Sequence, residues 1–126
     1  PIIAVSDDLR TVLTASCVEC KRDWKTFELE LWRIGRKEPI VLEAPGGKPV
    51  QPSTHAALSA DGTRVVVDPI EPAGFFIWDI TDGNARVRHT TRIANGGDWE
   101  ISPDGSVLVR AYADGSILLW DLRPIK

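Results

Sequence analysis

The 126-residue chain contains no methionine, one tyrosine and two cysteines. The cysteines stand together as Cys17-Val18-Glu19-Cys20. A disulfide-stapled secreted domain carries more, so a reducing, cytoplasmic compartment is expected. No apolar run approaches the ~18 residues of a membrane-spanning helix, no signal-peptide pattern stands at the start, and no membrane partner is expected. Cationic surface is scarce too. Lys and Arg number 15 against 18 Asp and Glu, a net charge of −3, and the longest basic cluster is Lys21-Arg22-Asp23-Trp24-Lys25. Non-specific nucleic-acid binding draws on clustered cations that displace phosphate counterions, so nucleic acid is not an expected partner. No stretch keeps a convincing 3.6-residue apolar period, which leaves an all-β chain.

What is present repeats. Apolar strands close on tryptophan three times, at Leu31-Trp32-Arg33-Ile34, Ile77-Trp78-Asp79-Ile80 and Leu119-Trp120-Asp121-Leu122, the tryptophans 46 and 42 residues apart. Ahead of each lies a Ser-x-Asp-x turn: Ser6-Asp7-Asp8-Leu9, Ser59-Ala60-Asp61-Gly62 and Ser102-Pro103-Asp104-Gly105. A period in the forties built only from strands is the signature of β-propeller blades, four antiparallel strands to a blade. The expected blade-like repeats span about 1–44, 45–93 and 94–126, an incomplete ring.

Within each repeat a short first strand stops at the turn, with one inward pair: Ile3 and Val5, Ala56 and Leu58, Trp99 and Ile101. Second strands follow at Thr11–Ala15, Arg64–Val67 and Val107–Arg110, and third strands end on the tryptophans. Outer strands are expected at Pro39–Glu43 and Ala85–His89, where proline and arginine suit an edge that must not pair further. The Asp-Gly pairs, including Asp114-Gly115, are hairpin signals. From turn serine to tryptophan takes 26 residues in the first repeat but 19 and 18 in the others. The extra length predicts an enlarged loop over roughly Cys17 to Lys25. After Trp120 only six residues remain, and no outer strand is expected there.

These motifs resemble the WD-repeat family of β-propellers over nearly the whole chain. Ser102, Asp104, Asp114, Trp120 and Asp121 match one family repeat closely; Ser59, Asp61, Trp78 and Asp79 match a second. The first is degenerate, with Arg33 where the family's aspartate would stand. The Gly-His pair that the family often places before the first strand is missing, because neither His55 nor His89 follows a glycine. Blades held mainly by apolar packing, with the indole N–H groups partnered in some other way, are therefore expected. The resemblance also implies that the last blade takes its outer strand from elsewhere. The chain then reads as the C-terminal three blades of a larger propeller. The start at Pro1, inside the apolar run Ile2-Ile3-Ala4-Val5, fits a cleavage product or a segment of a longer chain.

Candidate chemistry is thin. Cys17 and Cys20 could offer two thiolates to zinc or form a redox pair, but zinc needs four ligands and a redox pair sits at a helix start; two thiols in a surface loop is the plainer reading. Lys21, Arg22, Trp24 and Lys25 form a candidate partner-binding loop with Trp24 as anchor, unless Trp24 folds back on its own blade. Asp61, Asp79, Asp104 and Asp121 recur at fixed repeat positions and read as structural. His55 and His89 read as strand residues, and Gly46-Gly47 and Gly96-Gly97 as linker turns. No nucleophile elbow, zinc-protease helix or phosphate loop is present. The expectation is a non-enzymatic interaction scaffold with no cofactor or metal. The alternative is a regulatory or sensor segment of a larger enzyme (protease, kinase or NTPase), possibly nicked or released by proteolysis.

Three blades leave a bare face at each end. If each exposed ~400 Å² of apolar surface, covering it would stabilise by about 10 kcal/mol. Further blades of the same gene product, linked or cleaved, would cover those faces, with protein or peptide ligands bound elsewhere. A homodimeric six-bladed ring is the less favoured arrangement, because no outer strand is left to donate.

Overall fold

Alternating apolar residues divided by Asp-Gly and Ser-x-Asp turns produce eleven strands among the described residues. The computed structural model describes residues 2–21, 24–44, 52–69, 74–90 and 98–123. The strands are β1 (Ile2–Val5), β2 (Thr11–Lys21), β3 (Trp24–Arg33), β4 (Ile40–Leu42), β5 (Pro52–Leu58), β6 (Arg64–Pro69), β7 (Phe75–Thr81), β8 (Asn84–Thr90), β9 (Trp99–Ile101), β10 (Val107–Ala111) and β11 (Ile117–Asp121). The chain is all-β among the described residues. It forms three antiparallel sheets, ordered β1-β2-β3-β4, β5-β6-β7-β8 and β9-β10-β11.

The sheets stack face to face in chain order, with equivalent strands over one another: β1 touches β5, β5 touches β9, and β4 touches β8. Because strand side chains alternate between faces, the middle sheet feeds two cores. Val65, Val67, Phe76, Trp78 and Ile80 join Leu13, Leu29, Leu31, Ile40 and Leu42 of the first sheet. Their strand neighbours Val66, Phe75 and Ile77 join Trp99, Leu108 and Leu122 of the third. Phe75 meets Trp99 edge to face at 4.9 Å, and the Arg110 guanidinium lies 5.1 Å from the Phe75 ring centre.

Two expectations are corrected. The described residues of the stretch Cys17 to Lys25 belong to strands and lengthen the β2–β3 ladder, with Cys17 opposite Phe27, Cys20 opposite Lys25 and Lys21 opposite Trp24. Extending the ladder satisfies backbone N–H and C=O groups that a long loop would leave unpaired, and a register shift between Cys17 and Glu19 absorbs the irregularity. The cysteines thus lie on β2. The second correction is Val5, expected to point inward but 44% exposed. It stands on the side of the first sheet that faces no other sheet. Gly46-Gly47 and Gly96-Gly97 lie outside the described residues, as do the side chains of His55 and His89.

Candidate functional site

The three Ser-x-Asp turns share one bonding scheme. Each serine hydroxyl donates to the aspartate two residues on, at 2.6 Å for Ser6–Asp8, 2.9 Å for Ser59–Asp61 and 2.7 Å for Ser102–Asp104. The same oxygen accepts the N–H that opens the next strand, from Thr11 (3.1 Å), Arg64 (3.0 Å) and Val107 (3.0 Å). Short polar side chains bonding to nearby backbone close turns in this way. All three carboxyls are consequently held below the ordinary aspartate range. For Asp8 the main cause is the Ser6 hydroxyl, for Asp61 the Thr63 hydroxyl, and for Asp104 the Ser106 hydroxyl, which with Ser102 brings it to about 2. Asp114 accepts the Ser116 hydroxyl at 2.6 Å and its N–H at 2.8 Å, so it closes the β10–β11 turn.

The turns are also linked across the sheets. Ala60 N–H donates to the Pro103 carbonyl at 2.6 Å, and Asp8 N–H to the Ala60 carbonyl at 3.3 Å. A guanidinium runs beside each link. Arg33 reaches the Asp61 carbonyl at 3.3 Å, and Arg64 the Gly105 carbonyl at 2.6 Å. Arg33 pairs with Thr11 across the ladder as Asp79 pairs with Arg64. The residue that looked degenerate therefore supplies from β3 the cation that the next sheet supplies from β6.

The tryptophans differ in partner. Trp78 is buried and its indole donates to the Glu43 carbonyl at 3.0 Å, tying the second sheet to the first. Trp32, 41% exposed, donates to the Thr14 hydroxyl at 3.1 Å. Trp120 is half-buried against the second core. Asp121 holds Arg123 in a two-pronged surface pair at 3.0 and 2.7 Å, and this guanidinium brings its carboxyl to about 2. Of the candidate partner-binding residues, Lys21 ends β2 while Trp24 and Lys25 open β3; Arg22 lies outside the described residues.

Equivalent positions differ sharply in burial at the two ends of the stack. Val65, Trp78 and Ile80 of the second sheet are 0%, 1% and 5% exposed, covered by the first sheet. Their counterparts Trp32 and Ile34 in the first sheet are 41% and 75% exposed, and Val41 beside them 42%. At the other end Ile117 and Leu119 are each 68% exposed, whereas Phe75 and Ile77, at the same places in the second sheet, are buried. With about 1.5–3 kcal/mol for full burial of such a side chain, covering the first face is worth about 4 kcal/mol and the second about 3 kcal/mol. These values fall below the 400 Å² expectation because polar residues, Thr14 and Glu30 on one face and Glu100 on the other, occupy part of each.

A second polar cluster escaped the sequence reading. Arg64, Asp79 and Arg86 stand side by side across β6, β7 and β8. Arg64 donates to Asp79 at 2.7 Å, and Arg88 Nε lies 3.5 Å from the other carboxylate oxygen while its Nη2 donates to the Leu122 carbonyl. Together they line a cleft of about 590 Å³ with Thr63 and Thr81. The signal was the Arg86-Val87-Arg88 alternation, which was read only as protection of an edge. No group of three metal-ligating side chains occurs among the described residues. No described helix is long and apolar enough to cross a membrane. The chain matches no protein-family model and no curated protein.

Proposed function

We propose that this chain is a three-blade portion of a WD-repeat-like β-propeller, acting as a non-enzymatic scaffold for protein or peptide ligands and completed by further blades of the same gene product. One observation carries the reading: positions buried between sheets inside the stack, such as Trp78 and Ile77, have exposed apolar counterparts at its ends, Trp32 and Leu119. Each end is thus built as half of an internal junction. Apolar faces of this kind mark interfaces, and covering both would contribute about 7 kcal/mol, comparable with the stability of a whole domain. The long β2–β3 hairpin, with Lys21, Trp24 and Lys25 near its tip, is the candidate contact for ligands.

Completion by other blades is favoured over a ring of two copies. A ring of two copies would need an outer strand for the third sheet of each copy, and none is left to donate among the described residues. Purification of the tagged full-length gene product after limited proteolysis tests the reading. This segment should stay bound to the remainder in a 1:1 complex, and Leu119→Asp should release it. A discrete dimer of the chain by itself, or retention unaffected by Leu119→Asp, would overturn the proposal.

A further inference from the structure

At the Ser-x-Asp turns the bonds between neighbouring sheets all run one way among the described residues, from a donor on one sheet to a carbonyl on the next. From the first sheet, Asp8 N–H and the Arg33 guanidinium reach the Ala60 and Asp61 carbonyls. From the second, Ala60 N–H and Arg64 reach the Pro103 and Gly105 carbonyls. A further arginine holds the following sheet nearer its outer edge. Arg36 lies over Gly83 of the β7–β8 turn, 2.5 Å from where a Cβ would stand, and Arg88 donates to the Leu122 carbonyl. Each junction inside the stack thus adds two guanidiniums and a turn-to-turn backbone bond to its apolar core.

The third sheet keeps the apolar half of this scheme, in Ile117 and Leu119, and omits the clamps. The N–H that Ala60 donates is missing at its counterpart, Pro103. The next N–H, that of Asp104, lies against its own carboxylate. Val107 stands opposite Asp121 as Arg64 stands opposite Asp79 and Thr11 opposite Arg33, so this pair alone contains no cation. The two described cations of the sheet are engaged elsewhere, Arg110 over the Phe75 ring of the second sheet and Arg123 on Asp121. All of these features lie in the turn and strands themselves, and none depends on residues beyond 123.

We infer that the junction on the outer side of the third sheet is the separable seam of the completed protein. The following sheet of the same gene product packs there on Ile117 and Leu119 without the arginine clamps, and it parts more readily than the clamped sheets do. The inference rests on the propeller reading and adds to it the place where the assembly opens. Charge-assisted bonds are roughly twice as strong as neutral ones, so parting a clamped junction costs bonds that the seam never forms.

Thiol labelling of the full-length gene product, read residue by residue by mass spectrometry, tests it. Cysteine is placed singly at Leu119, on the seam, or at Ile77, inside the clamped second junction. Leu119→Cys should label at least about tenfold faster than Ile77→Cys, because labelling follows local opening. Adding Pro103→Ala with Val107→Arg supplies the missing N–H and sets a guanidinium opposite Asp121. That pair of changes should slow Leu119→Cys about tenfold and leave Ile77→Cys unchanged. The reverse graft, Ala60→Pro with Arg64→Val, should speed Ile77→Cys by a similar factor, and Pro103 shows that a turn of this kind accepts proline. Equal rates at the two positions, or rates that neither graft moves, would overturn this inference and leave the propeller reading standing. Leu119→Cys labelling in the full-length product as fast as in the 126-residue chain by itself would mean that no sheet covers it, and would overturn both.

Discussion

Replacing Gly62 with alanine should destabilise the fold far more than the same change at Gly115, although both glycines sit in turns at positive φ, 72° and 88°. The conformation alone costs a residue with a Cβ about 1–2 kcal/mol, partly offset because alanine loses less entropy on folding. Gly115 has open space around it, so Gly115→Ala should cost about 1 kcal/mol and no more. At Gly62 the new methyl would lie 2.4 Å from Thr11 Oγ1 and 2.6 Å from Thr11 Cβ. That clash adds an overpacking cost of about 1–3 kcal/mol, bringing the total to about 2–4 kcal/mol. Gly105, whose Cβ would meet Ser59 and Arg64 Cβ at 3.1 and 3.2 Å, should fall between. Leu9 provides the mirror experiment. It adopts φ 59° at the place of Gly62 and Gly105, and it is 71% exposed. Leu9→Gly should therefore be neutral or stabilising by about 0.5 kcal/mol. Urea unfolding followed by tryptophan fluorescence reads all four differences. If Gly62→Ala were no worse than Gly115→Ala, the first and second sheets would not approach through this turn, and the stacking argument would fail there.

Three other outcomes are expected. Leu108→Ala, deep in the second core, should cost about 2–5 kcal/mol, while Leu119→Ala should cost under about 1 kcal/mol in the same urea assay because Leu119 is already 68% exposed. Trp78→Phe keeps most of the ring but leaves the Glu43 carbonyl without its indole donor, for a loss of about 1–2 kcal/mol by thermal or chemical unfolding. Asp104 has its pKa lowered to about 2 from 3.8, so its contribution is present above the unfolded value and disappears as pH falls from about 4 through 2. Asp104→Asn should lower the urea midpoint at pH 6 and flatten its fall between pH 4 and pH 2; an unchanged slope would contradict this role.

The strands were legible because their chemistry is local. Alternation, Asp-Gly turns and the tryptophan-ended runs located all eleven, and the Ser-x-Asp spacing foretold turns whose bonds are repeated almost unchanged three times. The β2–β3 extension was not legible, since Cys17 to Lys25 mixes charges with apolar residues and gains strand structure only by pairing with itself. The face exposed by Val5 was misread for a related reason. Alternation says which residues share a face, but not whether a neighbour covers it. Arg33 stands where Asp79 and Asp121 stand in the other sheets, and its bond to the Asp61 carbonyl becomes visible only once register is known. The Arg64–Asp79–Arg86–Arg88 cluster was hidden likewise, because its members come from three strands up to 24 residues apart.

The central claim is that both ends of the stack are unfinished junctions. Light-scattering mass measured on the chain alone across a hundredfold range of concentration tests it most directly. The wild-type chain should associate progressively without settling on one stoichiometry. Ile34→Asp with Leu119→Asp, both at exposed positions, should return it to a folded monomer. A wild-type chain that stays monomeric throughout, or one that forms a discrete dimer, would contradict the account.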